Sequence, residues 1–267
     1  MTHPQSERDD PRAFEEEKDR LFVTALARGL DVLAAFRPGD ATLSNQQIAS
    51  RTQLPKSTVS RLTYTLVKLG YLKQESETGL YRLGFSVLEL ASSLLASFDV
   101  RAIAAPLMRE FAQTLHVSVS LAVRDGSHMV YLETCRSQSR ISVEFTVGSR
   151  VPLATTAIGR ACYAGLSEEN RLSLDGELSA YYKQTWPTHA KRLQEGLDDC
   201  RRQGYCTSFG EFEPDVCAIG MPLVLPGVNE SLALNASIPA FLFDEQIMRT
   251  EIAPALQRLA AAICARG

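Results

Sequence analysis

The chain is poor in the residues and spacings that mark several function classes. Its six cysteines (Cys135, Cys162, Cys200, Cys206, Cys217, Cys264) include no Cys-x-x-Cys pair, and its four histidines are scattered. Zinc-type spacing is therefore absent, and reduced thiols of a cytoplasmic protein are expected, with no metal and no cofactor. No apolar run reaches the roughly 18 residues of a membrane span. The first 20 residues, MTHPQSERDDPRAFEEEKDR, have no apolar core of a secretion signal and are too acidic for a transit peptide. They read as a disordered, solvated arm. G-x-S-x-G, H-E-x-x-H, a P-loop and G-x-G-x-x-G are all missing, so catalysis has no motif to rest on and no catalytic residue is assigned. His116 sits at a predicted helix end as a cap or surface group. His128 and His189 also read as surface positions.

What is present is the composition of a globular chain. Of 267 residues, 45% are hydrophobic and 22% charged, enough for a real core and for two ordinary domains or one large one. The net charge of −3 is unevenly distributed. Residues 21–84 carry eight Lys/Arg against four Asp/Glu, between an acidic N-terminal arm and an acidic remainder. A basic block of that kind is compatible with phosphate binding despite the low overall pI, and equally with an ordinary solvated face.

Within the block, Phe22, Leu26, Leu30, Leu33 and Phe36 recur at helical spacing with Arg28 and Asp31 opposite, and Pro38-Gly39 ends that helix. Ser44 and Gln47 form a capping-box pattern for a short second helix. After Thr52-Gln53-Leu54, Pro55 suits the first position of a third helix. There Val59, Leu62, Leu66 and Leu69 make one side, while Ser57, Ser60, Arg61, Tyr64 and Lys68 cluster on the other. No acidic residue lies between Pro55 and Gly70. A plain helical hairpin would usually show glutamates there. Hydroxyls, an arginine and a phenol instead suit phosphates and base edges. Two short strands follow, Tyr71–Glu75 and Leu80–Leu83, joined through Gly79 and with Lys73 and Arg82 expected at the tip. Three helices and a hairpin describe a winged helix-turn-helix, used for DNA or, alternatively, for protein contacts alone. The candidate DNA-facing residues are Arg28, Ser44, Lys56, Ser57, Thr58, Ser60, Arg61, Tyr64, Lys73 and Arg82.

Beyond residue 84 the pattern predicts a linker helix over 85–98, a helix over Val100–Leu115, and then an α+β domain occupying 99–267. Strands are predicted at Val117–Val123, Met129–Thr134, Ile141–Val147, Tyr205–Phe209, Cys217–Leu225 and Ser231–Ile238. Helices are predicted from Thr155/Thr156, over His189–Gly204, and from Asp244 to Cys264. The helix start at Thr155, Thr156, Ala157 and Gly159 offers free N–H groups for a small carboxylate. The same threonines could simply cap the helix while Gly159 packs on a strand. Asn235 and Ser237 share one face of their strand, toward a pocket or toward solvent.

The segments FVTALARGLDVLAAF, LPKSTVSRLTYTLVKLGYL and YRLGFSVLELA resemble the DNA-binding half of the isocitrate lyase regulator (IclR) family. VGSRVPLATTAIGRACYAGL, GYCTSFGEFEPDVCAIGMPLV and SLALNASIP resemble its effector domain. The resemblance covers about residues 21–265. It implies a transcription regulator, not an enzyme, with a GAF-like effector domain built on an antiparallel sheet. It also implies a homodimer or homotetramer on an inverted-repeat double-stranded operator, and a small organic or aromatic acid as effector. Carried over residue by residue, the effector site takes in Leu153, Thr155, Thr156, Ala157, Gly159, Ser208, Cys217, Asn235 and Ser237. The chain departs from the family pattern at Phe209–Asp215 and at Ser237-Ile238-Pro239, both beside that site. The alternative is an enzyme or small-molecule-binding protein that uses its C-terminal domain, with the winged helix as tether.

Overall fold

A computed structural model describes residues 21–136, 145–242 and 244–266. The expected arm over 1–20 and the expected strand residues 141–144 lie outside them. The chain divides into two compact units, one ending at Ser97 and one beginning at Phe98. Among the described residues no helix is long and apolar enough to cross a membrane.

The first unit contains α1 (Thr24–Ala34), α2 (Asn45–Thr52), α3 (Lys56–Lys68), β1 (Leu72–Gln74), β2 (Tyr81–Leu83) and α4 (Phe85–Ala96). The capping box closes α2 in both directions. Gln47 N–H donates to Ser44 Oγ at 3.2 Å, and Ser44 N–H donates to Gln47 Oε1 at 2.8 Å. Gln53 then turns left-handed at φ 56°, and Pro55 takes the N-cap position, one residue before the helix start predicted for it. Val32, Ala35, Leu43, Ile48, Ala49, Val59, Leu66 and Leu72 form the core. Thr63 is buried among them with its hydroxyl donating to Val59 O at 2.9 Å, which removes the cost of an unpaired polar group.

Two apolar faces differ from expectation. On α1 the buried row is Val32 and Ala35, whose small side chains let α1 approach its neighbours closely. The bulkier Phe22, Leu26 and Leu30 stay exposed, while Leu33 and Phe36 pack at the edge of the core. Leu69 is 59% exposed because it follows the last turn of α3, where the chain bends at Gly70. The hairpin pairs Leu72 with Leu83, Lys73 with Arg82 and Gln74 with Tyr81. Lys73 and Arg82 therefore face each other across the strands and are not at the tip. The tip carries Glu75 and Glu77, and the turn closes through Gly79 at φ +69°. Gly84 leads into α4 where a Cβ would stand 1.9 Å from the Gly70 carbonyl oxygen, so only glycine fits.

Among the described residues the second unit is a six-stranded antiparallel sheet with helices on both faces. Its elements are α5 (Asp99–Leu115), β3 (Ser118–Asp125), β4 (His128–Cys135), β5 (Arg150–Pro152), α6 (Ala157–Gly165), α7 (Glu168–Tyr182), α8 (Trp186–Gln203), β6 (Cys206–Phe209), β7 (Val216–Leu223) and β8 (Leu232–Pro239). A continuous C-terminal helical segment follows, α9 (Glu245–Ile247), a π turn (Met248–Ile252) and α10 (Ala253–Cys264), capped by Asp244. Strand order is β5-β4-β3-β8-β7-β6. One face packs α5 and α10, the other α6 backed by α7 and α8.

The predicted strand at 141–147 is corrected in its described part: residues 145–147 are not strand, and the sixth strand is Arg150–Pro152, after a turn at Gly148. Helix α7 was missed. Its signals are the Ser167 cap, which accepts from Asn170 N–H at 3.2 Å, and Glu168 and Glu169 in the first turn. His128 and His189 are half-buried against Tyr181 and Tyr182 rather than at the surface. Ring centroids stand 5.6 and 4.1 Å apart, and burial lowers both imidazole pKa values.

Candidate functional site

Two places in the described structure combine chemistry with access. The first is the outer face of α3. Lys56, Ser57, Arg61, Tyr64 and Lys68 are exposed, and Thr58 is half-buried. Among the described residues the Lys56 ammonium, the Ser57 hydroxyl and the Arg61 guanidinium have no hydrogen-bond or ion-pair partner. Ser60 is held: its hydroxyl donates to Lys56 O and accepts from Asn45 Nδ2, each at 3.0 Å, which ties α3 to α2. Ser44 is likewise engaged in its capping box. Lys68 Nζ lies 5.5 Å from the Tyr64 ring centroid, a cation–π contact along the same face. Arg28 is exposed on α1.

An ion pair ties α1 and α2, the first two helices of the unit, together. Arg51, at the end of α2, pairs with Asp40 and donates to Ala35 O at 2.8 Å, joining the ends of α1 and α2 to the 37–40 turn. The Arg51 hydrogen bond, helped by the Arg37 backbone N–H, lowers the Asp40 carboxyl pKa to about 2.

The second place is a small pocket, open to solvent, at the start of α6. Tyr131, Phe145, Phe212, Val216, Ala218 and Ile158 provide apolar walls, and Thr156, Ala157, Ser208, Asn235 and Ser237 complete the lining. Phe145 and Phe212 are stacked at 6.1 Å, and Tyr131 meets Phe145 edge-on at 5.7 Å. Burial drives the Tyr131 phenol well above its ordinary pKa. Asn235 is 5% exposed, and its Oδ1 has no hydrogen-bond partner.

Five of the nine effector-site candidates line this cavity: Thr156, Ala157, Ser208, Asn235 and Ser237. Leu153, Thr155, Gly159 and Cys217 do not. Cys217 lies between the lining residues Val216 and Ala218, so strand alternation sends it to the opposite face. Gly159 is a packing residue, since a Cβ there would stand 2.1 Å from Leu153 O. Gly220 does the same work on the other side, 2.2 Å from Ala157 O by the same construction. Thr156 is both cap and lining: it accepts from Gly159 N–H at 3.1 Å and donates to Pro152 O at 2.7 Å. Capping and lining are thus one residue's two roles.

Sequence reading missed the three aromatic walls and the group that fixes one of them. Arg160 is buried, 5% exposed, one turn into α6. It donates to Glu211 Oε1 and Oε2 at 2.9 and 2.8 Å, to Thr207 O at 2.9 Å and to Ala154 O at 3.1 Å. That bidentate pair pins the 210–215 loop, which carries Phe212, to the helix whose first turn lines the cavity. Arg160 holds the Glu211 carboxyl below its ordinary pKa. The available signal was the Glu-Phe-Glu run in a segment already noted as unusual. Among the described residues no group of three or more His, Cys, Asp or Glu is placed to hold a metal ion.

Comparison with known proteins decides the family. Residues 25–76 match the IclR helix-turn-helix domain, and residues 92–265 match the bacterial transcriptional regulator IclR C-terminal domain. The chain belongs to the IclR family. Among curated IclR relatives, the HTH-type transcriptional regulator TsaQ1/TsaQ2 of Comamonas testosteroni is 32% identical over 240 residues, 89% of this chain and 86% of that one. An IclR family transcriptional regulator from Brucella abortus has a solved structure with 39% identity and a TM-score of 0.75, covering 96% of each chain. An IclR homolog complexed with 4-hydroxybenzoate from Microbacterium hydrocarbonoxydans matches at 25% identity and a TM-score of 0.72, covering 90% of this chain and 98% of that one. This IclR-family chain is accordingly a DNA-binding transcription regulator with an N-terminal helix-turn-helix and a C-terminal α/β domain on a curled antiparallel sheet.

Proposed function

We propose that α3 reads the major groove of a double-stranded operator and that a small organic acid bound at the start of α6 changes the affinity for it. The observation that carries the DNA assignment is the acid-free outer face of α3, with Lys56, Ser57 and Arg61 unpartnered. Ser57 and Arg61 face base edges, Lys56 meets a phosphate near the helix start, and the Lys73–Arg82 pair of the hairpin contacts flanking backbone. Arg28 adds charge beside them.

One such module reads few bases, so the regulator acts as a homodimer, alone or paired into a tetramer, on an inverted repeat. The exposed apolar side chains of the N-terminal unit support this: Leu21, Phe22, Val23, Leu26 and Leu30 near α1, and Phe85, Leu88, Leu90 and Leu94 on α4. The protein works in the cytoplasm, with its DNA.

The acid is assigned to the cavity because Thr156 caps only the Gly159 N–H, leaving the first N–H groups of α6 to donate to a carboxylate beside aromatic walls. Aromatic acids suit those walls. A mobility-shift titration of the protein's own upstream DNA with candidate acids tests the reading. Ala157→Leu should abolish the acid response and leave basal operator binding intact. Unchanged acid affinity in Ala157→Leu would move the site elsewhere. Turnover of any acid in the same titration would favour the enzyme alternative.

A further inference from the structure

We propose that Glu75 and Glu77 bar the tip of the β1–β2 hairpin from the minor groove, so that base reading is confined to α3. The inference rests on the assignment of Lys73 and Arg82 to flanking backbone, and adds which groove the hairpin does not enter.

The hairpin is divided along its length by charge. Between Lys73 and Arg82 the chain reads Gln-Glu-Ser-Glu-Thr-Gly-Leu-Tyr, with two carboxylates and no lysine or arginine. Lys73 and Arg82 stand directly opposite each other across the strands. Like charges in that position repel, and an anion held between them removes the cost. Two residues of extended chain span about 7 Å. The positive base and the negative tip therefore lie inside the roughly 8 Å over which salt screens charges.

The tip is also held in shape. Glu75 N–H donates to Leu80 O and Gly79 N–H donates to Glu75 O, each at 2.9 Å. The Thr78 hydroxyl donates to Glu75 Oε2 at 2.8 Å and accepts from Leu80 N–H at 3.2 Å. Gln74 Nε2 donates to Gly79 O at 3.1 Å and to the Tyr81 hydroxyl at 3.3 Å, so the amide nearest the tip is engaged in the turn. Among the described residues neither Glu75 nor Glu77 is ion-paired, and Glu77 is exposed.

The minor groove is only about 6 Å wide, and phosphates line both of its edges. Side chains that enter it are arginine, lysine, asparagine and glutamine, drawn by its negative potential. A tip with two unpaired carboxylates is repelled from both edges. Lys73 and Arg82 then meet phosphate with the tip held outside the groove. The hairpin lies along the backbone and adds affinity without reading bases.

Fluorescence anisotropy across a salt series tests this, with the full chain on its own upstream DNA and on an unrelated duplex. Glu75→Gln/Glu77→Gln keeps the oxygen that Thr78 bonds and removes both charges. It should bind both duplexes about three- to tenfold more tightly at low salt, the gain shrinking as salt rises. Dimethyl sulfate footprinting separates the grooves, because it methylates guanine N7 in the major groove and adenine N3 in the minor. The unaltered protein should protect guanine N7 and leave adenine N3 in the flanking minor groove reactive. Protection of flanking adenine N3 by the unaltered protein overturns the inference. So does unchanged or weaker binding in the glutamine variant, which would place the tip away from DNA or in a favourable contact with it. Lys73→Ala and Arg82→Ala test the underlying assignment separately, since each should weaken both duplexes alike and flatten the salt dependence. If neither does, the backbone assignment falls, while a tighter glutamine variant would still place the acidic tip beside DNA.

Discussion

Helices α3 and α6 both follow a tight turn, and both carry the residues on which function rests, but they are built in opposite ways. The outer face of α3 is solvent-exposed and uses long side chains: a lysine, an arginine and a tyrosine with few internal partners. From Ala157 to Tyr163 every residue of α6 is buried. Its useful groups are backbone N–H donors, and glycines on the helix and beside it let the sheet come close. An exposed recognition helix can change its side chains at little cost to folding. A buried helix start is tied to the core, and altering it alters stability.

Substitutions that separate the two helices have effects spanning a wide range, and the largest belongs to Arg160. Arg160→Met removes the four hydrogen bonds of a buried guanidinium and leaves the Glu211 carboxylate only its 3.6 Å approach to Arg192, for a loss of about 3 kcal/mol. Urea unfolding followed by the fluorescence of Trp186, the single tryptophan, reads the C-terminal unit alone. A loss below about 1 kcal/mol would show that the pair does not hold the 210–215 loop. Gly159→Ala comes next. Alanine gains about 1 kcal/mol of helix propensity, but its Cβ meets Leu153 O at 2.1 Å. Overpacking of that kind costs about 1–3 kcal/mol or more, so the net effect in the same assay is destabilising. A stabilised Gly159→Ala would overturn the close packing of α6.

On α3 the sign of the comparison reverses. Arg61→Ala should leave both melting transitions in place and weaken operator binding by about 1–3 kcal/mol, with relaxed preference at one base position. Lys56→Ala should weaken all DNA sequences alike and flatten the salt dependence. Footprinting with permuted operators separates the two. If Arg61→Ala keeps both affinity and base preference, another face of α3 meets DNA.

The contrast also explains which parts were legible in the sequence. The N-terminal elements were readable because their signals are local: the Ser44–Gln47 box, Pro55, and an acid-free stripe within one helix. Errors there came from tertiary choices, such as the packing of Val32 and Ala35 in place of Phe22 and Leu26. In the C-terminal unit five of the six strands were visible by alternation, Thr156 and Ala157 came from a helix start, Asn235 and Ser237 from strand alternation, and Ser208 from the family pattern. Tyr131, Phe145 and Phe212 arrive at the cavity from a strand, the segment before Gly148 and the 210–215 loop. No period links residues that far apart, and only the fold brings them together. Arg160 was hidden for a related reason: an arginine in an apolar helix gives no sign of being buried until its carboxylate, 51 residues away, is located.

The smallest expected effect compares the two units through their ion pairs at low pH. In the N-terminal unit the Arg51 and Asp40 side chains are 26% and 20% exposed, against 6% and 29% for Arg160 and Glu211. Both carboxyls have folded pKa values below their unfolded ones. Each therefore contributes stability that is complete above the unfolded pKa and is lost as pH falls through the folded one. For Asp40 that window runs from 3.8 down to about 2. Solvent screens the Asp40 pair, so its share is of order 1 kcal/mol or less, whereas protonating Glu211 strands the buried Arg160 guanidinium. Acidification should then loosen both units, the C-terminal one followed by Trp186 fluorescence and α1–α3 by amide exchange. Asp40→Asn should flatten only the second transition, and Glu211→Gln only the first. If Asp40→Asn moved the Trp186 transition instead, the two units would not unfold separately, and the comparison of their ion pairs would fail.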